Sequence, residues 1–416
     1  MFTIAIDASR AAGEQKTGVG WYAYHLLAHL KDVIPDDVGV VLYSDRPLPA
    51  ELRPWPQNWE ERVLPWPPSR ADSRQPIADS SRWPMWSQLR LAWQGLRDRP
   101  DILFIPAHVI PKMLTRRKWY LVPWPKRYLV PFPRLVTTIH DIAFKEFPDA
   151  YARRERWYAD HATRLAVRHA DRIIVPTYAV ARDLERWYGC DPGKIAVIHH
   201  GITPLVISTE RVARASGEIS DRLPGDLSDS LRPTRDDERL MLYVGRLEHK
   251  KNVVRMIEAF DRIASRYPKA RLVLAGSPGH GVEDVRVAIA HSPFRDRILT
   301  PGWISEEKRS HLLSRASVFL YPTLAEGFGM PILEALAAGV PVVTTRGHAH
   351  EEVAGNAALL VNPLDTDAIA DALATLLEHP DRRANLVHRG QQRAAQFTWE
   401  QSAQATWGEL QSVLSA

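Results

Sequence analysis

Residues 326–343, EGFGMPILEALAAGVPVV, decide the fold. They follow an apolar run, ASVFLYPT (316–323), that reads as a buried strand. Gly327 and Gly329 let the backbone approach a ligand closely. Pro331 suits the first turn of a helix, PILEALAA, which Gly339 ends. Another strand, VPVVTT (340–345), comes next. Strand, turn, helix and strand in succession make the repeating unit of a parallel α/β sheet. Two carboxylates bracket the turn: Glu326 stands before it and Glu334 in the first turns of the helix, so they project from opposite ends of a glycine loop. A helix N-terminus with exposed amides holds an anion, and an acid on either side can hold hydroxyl groups. A nucleotide sugar has that layout: ribose hydroxyls, diphosphate, sugar hydroxyls. A favourable acid at a helix N-terminus, worth roughly 0.3–1 kcal/mol, accounts for Glu334 but gives Glu326 no reason to exist.

The same alternation runs outward in both directions. Downstream, AALLVNP (357–363) is a further strand. Upstream lie RLMLYVGR (239–246), the helix NVVRMIEAFDRIASRYP, ARLVLAG (270–276) and RILTPGWI (297–304). A second series fills the first half: FTIAID (2–7), the helix GVGWYAYHLLAHLKD (18–32), GVVLYS (39–44), DILFIP (101–106), RLVTTIHD (134–141), RIIVPT (172–177) and KIAVIHHGI (194–202), with helices around 151–170 and 178–189. Residues 204–238 are polar, rich in Ser, Asp, Arg and Pro, and weakly periodic. The expected organisation is an N-terminal Rossmann-like domain (1–203), a polar interdomain linker (204–238), a C-terminal Rossmann-like domain (239–396) and a terminal helix (397–416). Ligands of such sheets sit beyond the carboxyl ends of the strands.

The bulk numbers fit two domains and restrict the partners. The 416 residues exceed one ordinary core. The single cysteine, Cys190, excludes an intrachain disulfide framework and fits a reducing compartment. MFTIAIDASR has too short an apolar run for a signal peptide, and no run of eighteen apolar residues marks a spanning helix. A net charge of +5 favours an anionic partner: a phosphorylated substrate, an acidic lipid or a nucleic acid.

Three further motifs carry chemistry. In YVGRLEHKKN, Gly245 permits a close turn, Arg246 and Lys251 flank the loop, and Asn252 is placed to cap the next helix. A planar fork and a compact ammonium beyond a strand suit a diphosphate, although a solvated basic loop has the same composition. Gly18 and Gly20 stand at the start of the first helix, without the full dinucleotide fingerprint because Ala23 occupies its last position. His140 and Asp141 end a β-branched strand, where a catalytic or a structural imidazole is equally at home. By contrast, Asp365 and Asp367 in DTD read as a helix cap, and HAHEE (348–352) lacks a complete metal-ligand set.

In order, a glycine loop after the first strand, HD after a middle strand, R-x4-K (246–251) and E-x7-E (326–334) resemble the retaining GT-B glycosyltransferases of the large GT4 family. IHDIAFKEFPDAY with RWYADHATRLAVRHADRIIVPT is most similar to its bacterial polysaccharide (O-antigen and exopolysaccharide) mannosyltransferases. The resemblance implies two doubly wound domains facing a central cleft, the first (1–203) binding the acceptor and the second (239–396) the nucleotide sugar, with the terminal helix (397–416) packing back on the first domain. It also implies roles. Glu334 binds the donor ribose; Glu326 and the amides of Gly327, Phe328, Gly329 and Met330 bind the transferred sugar; Arg246 and Lys251 stabilise the leaving diphosphate. His140 lies beside donor sugar and acceptor, with Gly18, Gly20, Asp141 and Gly245 lining the site and the strand end at Ile304 contacting the base. It implies no metal and no cofactor. The donor is a nucleotide sugar, with GDP-mannose as the expectation and a UDP-hexose or dTDP-rhamnose as alternatives, and the acceptor is a lipid-linked or growing glycan. Two departures stand out: His350 replaces a proline before Glu351 and Glu352, and His200 stands where Asn is common before the glycine. A GT-B epimerase and a non-catalytic lipid- or nucleic-acid-binding protein are the competing classes.

One segment points to a surface. PKMLTRRKWYLVPWPKRYLVPFPR (111–134) has seven cations, five interleaved aromatics and no acid. This suits an anionic membrane, and WPMWSQLRLAW (83–93) extends the surface. Aromatics packed on their own domain fit equally, and nucleic acid is the least favoured partner. The expected location is cytoplasmic, peripheral on the inner face of the membrane.

Overall fold

A computed structural model describes residues 2–13, 16–65, 86–107, 109–115, 120–121, 129–130, 132–203 and 239–415. The expected linker 204–238 and most of the aromatic and basic residues of 111–134 lie outside the described residues. The chain divides into two compact units.

The first unit is built on strands β1 (Thr3–Asp7), β2 (Gly39–Ser44), β3 (Trp59–Val63), β4 (Ile102–Ile105), β7 (Arg134–Thr138), β8 (Arg172–Val175) and β9 (Ile195–Val197). A two-residue antiparallel pair, β5 (Tyr120–Leu121) with β6 (Leu129–Val130), interrupts the series. The main sheet is parallel, in the order β3-β2-β1-β4-β7-β8-β9. Helices α1 (Gly18–Leu30), α2 (Ala92–Asp98), α3 (Arg153–His169) and α4 (Tyr178–Tyr188) connect the strands. β4 is apolar and buried along its length, and β1 buries Ile4, Ala5 and Ile6, as expected of strands covered on both faces. β3, the edge strand WEERV, is charged and escaped the sequence reading because it lacks an apolar run.

The second unit holds β10 (Arg239–Val244), β11 (Ala270–Ala275), β12 (Ile298–Gly302), β13 (Val318–Tyr321), β14 (Val342–Thr345) and β15 (Ala358–Val361), all parallel, in the order β12-β11-β10-β13-β14-β15. Its helices are α5 (Val253–Ala264), α6 (Val282–His291), α7 (Glu306–Arg315), α8 (Met330–Ala337), α9 (His348–Ala354), α10 (Thr366–Glu378) and α11 (Pro380–Ala394). Val253, Met256, Ile257, Phe260 and Ile263 of α5 recur at helical spacing and are buried in the core. In each sheet the strand order reverses beside the first strand, between β1 and β4 and between β10 and β13. These are the switch points where doubly wound sheets bind ligands.

The last helix, α12 (Trp399–Ser415), belongs to the first unit and packs on α1. Trp399 stacks on His25 (5.1 Å between ring centres), and Arg172 pairs with Glu409. Residues 143–156 group with the second unit, whereas the sequence reading placed them in 1–203. Two contacts there explain the assignment: Lys250 Nζ sits 5.7 Å from the Tyr151 ring, and His348 lies 3.6 Å from Glu146.

Candidate active site

In the second unit, two loops meet beyond β10 and β13. A 3-10 turn, His249–Lys251, leads into α5. Asn252 follows it with φ +60°, a conformation that Asn tolerates better than most side chains. Asn252 does not cap α5, as its sequence position suggested. Its amide instead donates to the carbonyls of Pro322 (2.9 Å) and Pro363 (2.7 Å), and its Oδ1 accepts from Arg255 (3.0 Å). The Leu324 amide donates to the Lys250 carbonyl (2.9 Å). These bonds tie the loop after β10 to the loop after β13 and fix Lys251 against Glu326.

Lys251 Nζ is 2.5 Å from Glu326 Oε1, and both side chains are nearly buried. The Tyr321 hydroxyl completes the cluster, donating to Glu326 Oε1 at 3.0 Å and accepting from Lys251 at 3.3 Å. Burial opposes both charges. The Lys251 ammonium nevertheless holds the Glu326 carboxyl below the usual carboxylate range, and Glu326 holds Lys251 above the usual amine range. Beside them Thr323 Oγ1 meets His350 Nε2 at 2.6 Å, and burial pushes the His350 imidazole down to about 4, so it is neutral near pH 7. Glu351 accepts from the Gly347 amide (2.7 Å) at the start of α9, and the Glu352 carbonyl accepts from Arg393 (2.6 Å).

The turn that follows Glu326 delivers the backbone to the same place. Gly329, at φ +99°, precedes α8, and Pro331 lies in its first turn. Phe328 is buried and meets Phe397 edge-on at 5.8 Å, which anchors the loop, and Met330 is half-buried. Glu334 faces Arg309 of α7, Nη1 to Oε1 3.2 Å. Gly245 begins the loop after β10, and its amide donates to Ala275 (2.9 Å). The neighbouring Gly276 has no room for a side chain, since a Cβ there lies 1.8 Å from the Gly245 carbonyl oxygen. Arg246 is exposed, 3.5 Å from Glu248. Ile304 packs against the core between β12 and α7, while its neighbour Trp303 is exposed.

The remaining sequence candidates lie in the first unit. His140 is buried at the end of β7, with Nε2 3.2 Å from the Pro106 carbonyl oxygen after β4. The Tyr22 ring meets it edge-on at 4.8 Å, and the Tyr22 hydroxyl is 3.2 Å from Thr138 Oγ1. His200 packs on Tyr22 (4.4 Å) and His140 (5.5 Å) and lies nearly parallel to Trp399 (6.2 Å). This gives the histidine before Gly201 a place in an aromatic cluster. Burial, with His140 and His199 nearby, holds its pKa well below the ordinary imidazole value. Asp141 is half-buried next to His140. Gly18 and Gly20 form the first turn of α1, and a Cβ at Gly20 would press on the Arg10 carbonyl at 3.0 Å.

The structure therefore brings Lys251 and Glu326 into contact and sets Gly245, Arg246 and Gly327 to Gly329 on loops, and Met330 and Glu334 on α8, of the same unit. Sequence reasoning missed Tyr321, Arg309, Tyr22 and Asp7, which is buried and accepts from the Ser9 amide (3.0 Å). The hydroxyl of Tyr321 was hidden in an apolar strand, and Arg309 sits in a charged helix start that reads as solvent-facing.

Comparison with known proteins agrees with this fold. Residues 16–204 match the model of Glycosyltransferase Family 4, and residues 230–393 match that of Glycosyl transferases group 1. The chain is similar to O-antigen chain mannosyltransferase B of Escherichia coli, 28% identical over 68% of this chain and 72% of that one. It is also similar to the MMP alpha-(1->4)-mannosyltransferase of Mycolicibacterium hassiacum, 27% identical over 66% of this chain but 64% of that relative's length. Among solved structures, Anabaena HepE in complex with UDP and glucose superposes over 99% of this chain and 100% of its own, with a TM-score of 0.68 at 17% identity.

Proposed function

We propose that this chain, which belongs to the family 4 glycosyltransferases of the GT-B fold, moves mannose from GDP-mannose onto a lipid-linked or growing polysaccharide with retention at the anomeric carbon. The buried Lys251–Glu326–Tyr321 cluster carries the reading, because it stands at the switch point of the second sheet beside the amides that open α8. In this reading Glu334 accepts from the ribose, and Glu326 with the Gly327–Met330 backbone accepts from and donates to the sugar. Breaking the sugar–phosphate bond builds negative charge on the leaving diphosphate. In this reading Lys251, Arg246 and the first amides of α8 stabilise that charge, a type of stabilisation for which one lost preorganised donor costs about 10²–10³ in rate. Glu326 holds Lys251 in place, so in this reading donor binding redistributes an existing ion pair instead of recruiting a mobile side chain. His140, held by Tyr22 and the Pro106 carbonyl, is the acceptor-side candidate. No divalent metal is needed for this charge stabilisation.

The mannose donor is favoured by the two mannosyltransferases among the relatives. UDP-glucose is the second donor reading, favoured by the HepE likeness. An anionic membrane is the proposed resting surface. Leu89, Trp93 and Met113 of the first unit are exposed next to exposed Arg97 and Lys112, and no described helix is long and apolar enough to cross a membrane. The test is donor turnover in EDTA with GDP-mannose or UDP-glucose and a lipid-linked glycan acceptor. Mannosyl product with the donor's anomeric configuration supports the reading. Epimerised donor without acceptor, or inverted product, refutes it.

A further inference from the structure

Arg309 has a place that the donor reading above does not use. It lies in the first turn of α7, where its amide donates to the Ser305 carbonyl at 2.9 Å. Ser305 itself caps the helix by accepting from the Lys308 amide (3.3 Å), so α7 has its start fixed without the arginine side chain. The guanidinium turns toward α8. Nη1 is 3.2 Å from Glu334 Oε1, and Nη2 is 3.5 Å from Oε1 of the more exposed Glu306. Nε is buried without a hydrogen-bond partner among the described residues. A buried ion pair with an unmet donor is poor evidence of stabilisation, since desolvation cancels much of the attraction. Its value lies in where it holds the charges. Glu334 is 12% exposed, and burial pushes its carboxyl up while Arg309 opposes the shift. A carboxyl that takes up a proton loses acceptor capacity.

We propose that Arg309 is a positioning residue for donor recognition: by taking Oε1 it fixes the Glu334 carboxylate and leaves Oε2 to accept from a vicinal diol, so that the site selects nucleotides through their ribose hydroxyls. The inference rests on the donor-site reading of Glu334. It accounts for an arginine where a purely structural α7 requires none, and it assigns part of the selectivity to a residue outside both motifs that bracket the site.

The test is calorimetric binding of GDP and UDP, each against its 2′,3′-dideoxy counterpart, to the full chain in EDTA. The nucleotide that binds wild type is expected to lose tenfold or more in affinity on losing its hydroxyls. In Arg309→Met the discrimination falls to within about threefold, mainly through weaker binding of the ribose form. Arg309→Lys, which keeps a cation but not the planar fork, lies between. Thermal unfolding confirms that each variant is folded, and the lysine variant serves if the methionine variant is not. Retained discrimination in Arg309→Met, or an equal loss for both nucleotides, overturns the role given to Arg309. Glu334→Gln separates the two layers. If it keeps wild-type discrimination, or if neither nucleotide binds wild type, the donor reading itself is wrong; if it loses discrimination while Arg309→Met does not, only the inference about Arg309 falls.

Discussion

Replacing Lys251 by methionine leaves the Glu326 carboxylate buried with its cation gone. In the wild-type pair the nitrogen and oxygen are 2.5 Å apart, with side chains 14% and 11% exposed. The Tyr321 hydroxyl remains, but a neutral donor does not replace the charge. Removing one member of such a pair costs about 3–5 kcal/mol. For a unit of this size that is a fall in Tm of roughly 6–20 °C, at ~2–4 °C per kcal/mol. The pH dependence has a definite sign. Glu326 titrates below its ordinary 4.5 in the folded protein, so its share of the stability is present above 4.5 and is lost as the pH falls further. Lys251 titrates above its ordinary 10.5, so its share is present below 10.5 and is lost as the pH rises past that value. In Lys251→Met, burial dominates Glu326 and raises its pKa, so the variant's penalty shrinks as the pH is lowered from 7 toward 5. Adding Glu326→Gln to Lys251→Met removes the stranded charge and recovers much of the loss. The assay is thermal unfolding of wild type, both single variants and the double variant across pH 5–8, with transfer measured in parallel. Transfer falls about 10²–10³ in Lys251→Met. A single-variant cost below about 0.5 kcal/mol, or a double variant whose loss equals the sum of the singles, would show that the two groups are not coupled and would refute the argument.

Other consequences follow from neighbouring residues. His350 titrates at about 4 against an ordinary 6.5, so its neutral form adds stability above 6.5 that is lost as the pH falls toward 4, roughly 3 kcal/mol at the limit. His350→Gln should flatten the fall of Tm between pH 7 and 5; an unchanged slope counts against this. A Cβ on Gly201 would lie 2.2 Å from the Trp399 amide nitrogen, where backbone cannot yield, so Gly201→Ala should lower stability by about 3 kcal/mol in chemical unfolding. His140→Ala should lower kcat about 10²–10³ while nucleoside diphosphate affinity, measured by calorimetry, stays within twofold of wild type, because His140 belongs to the first unit.

The strands were legible because both sheets are buried on two faces, and apolar runs such as RLMLYV and ASVFLY announce that condition directly. β3 was not, because an edge strand satisfies solvent and carries Glu60, Glu61 and Arg62. Glu326 was legible as a candidate because it has no helical explanation, and Glu334 and Lys251 because they complete E-x7-E and R-x4-K beside glycine turns. What spacing cannot show is which charges meet. Lys251 read as a free cation for a diphosphate; the structure neutralises it with Glu326, seventy-five residues away in sequence. Asn252 read as a cap because caps are local, whereas its real partners are the carbonyls of Pro322 and Pro363. Residues 143–156 read as part of the first half because chain order was the only guide, and their contacts to Lys250 and His348 are long-range.

The most direct test of the account is thermal stabilisation by GDP, UDP, dTDP and ADP at equal concentration in EDTA, for wild type and Glu334→Gln. Ligand that binds only the folded state raises stability by about 2.7 kcal/mol at a hundredfold excess over Kd. The account predicts a metal-independent shift with a single preferred base, GDP first, that is reduced in the variant. Folded protein that shows no shift with any of the four contradicts it.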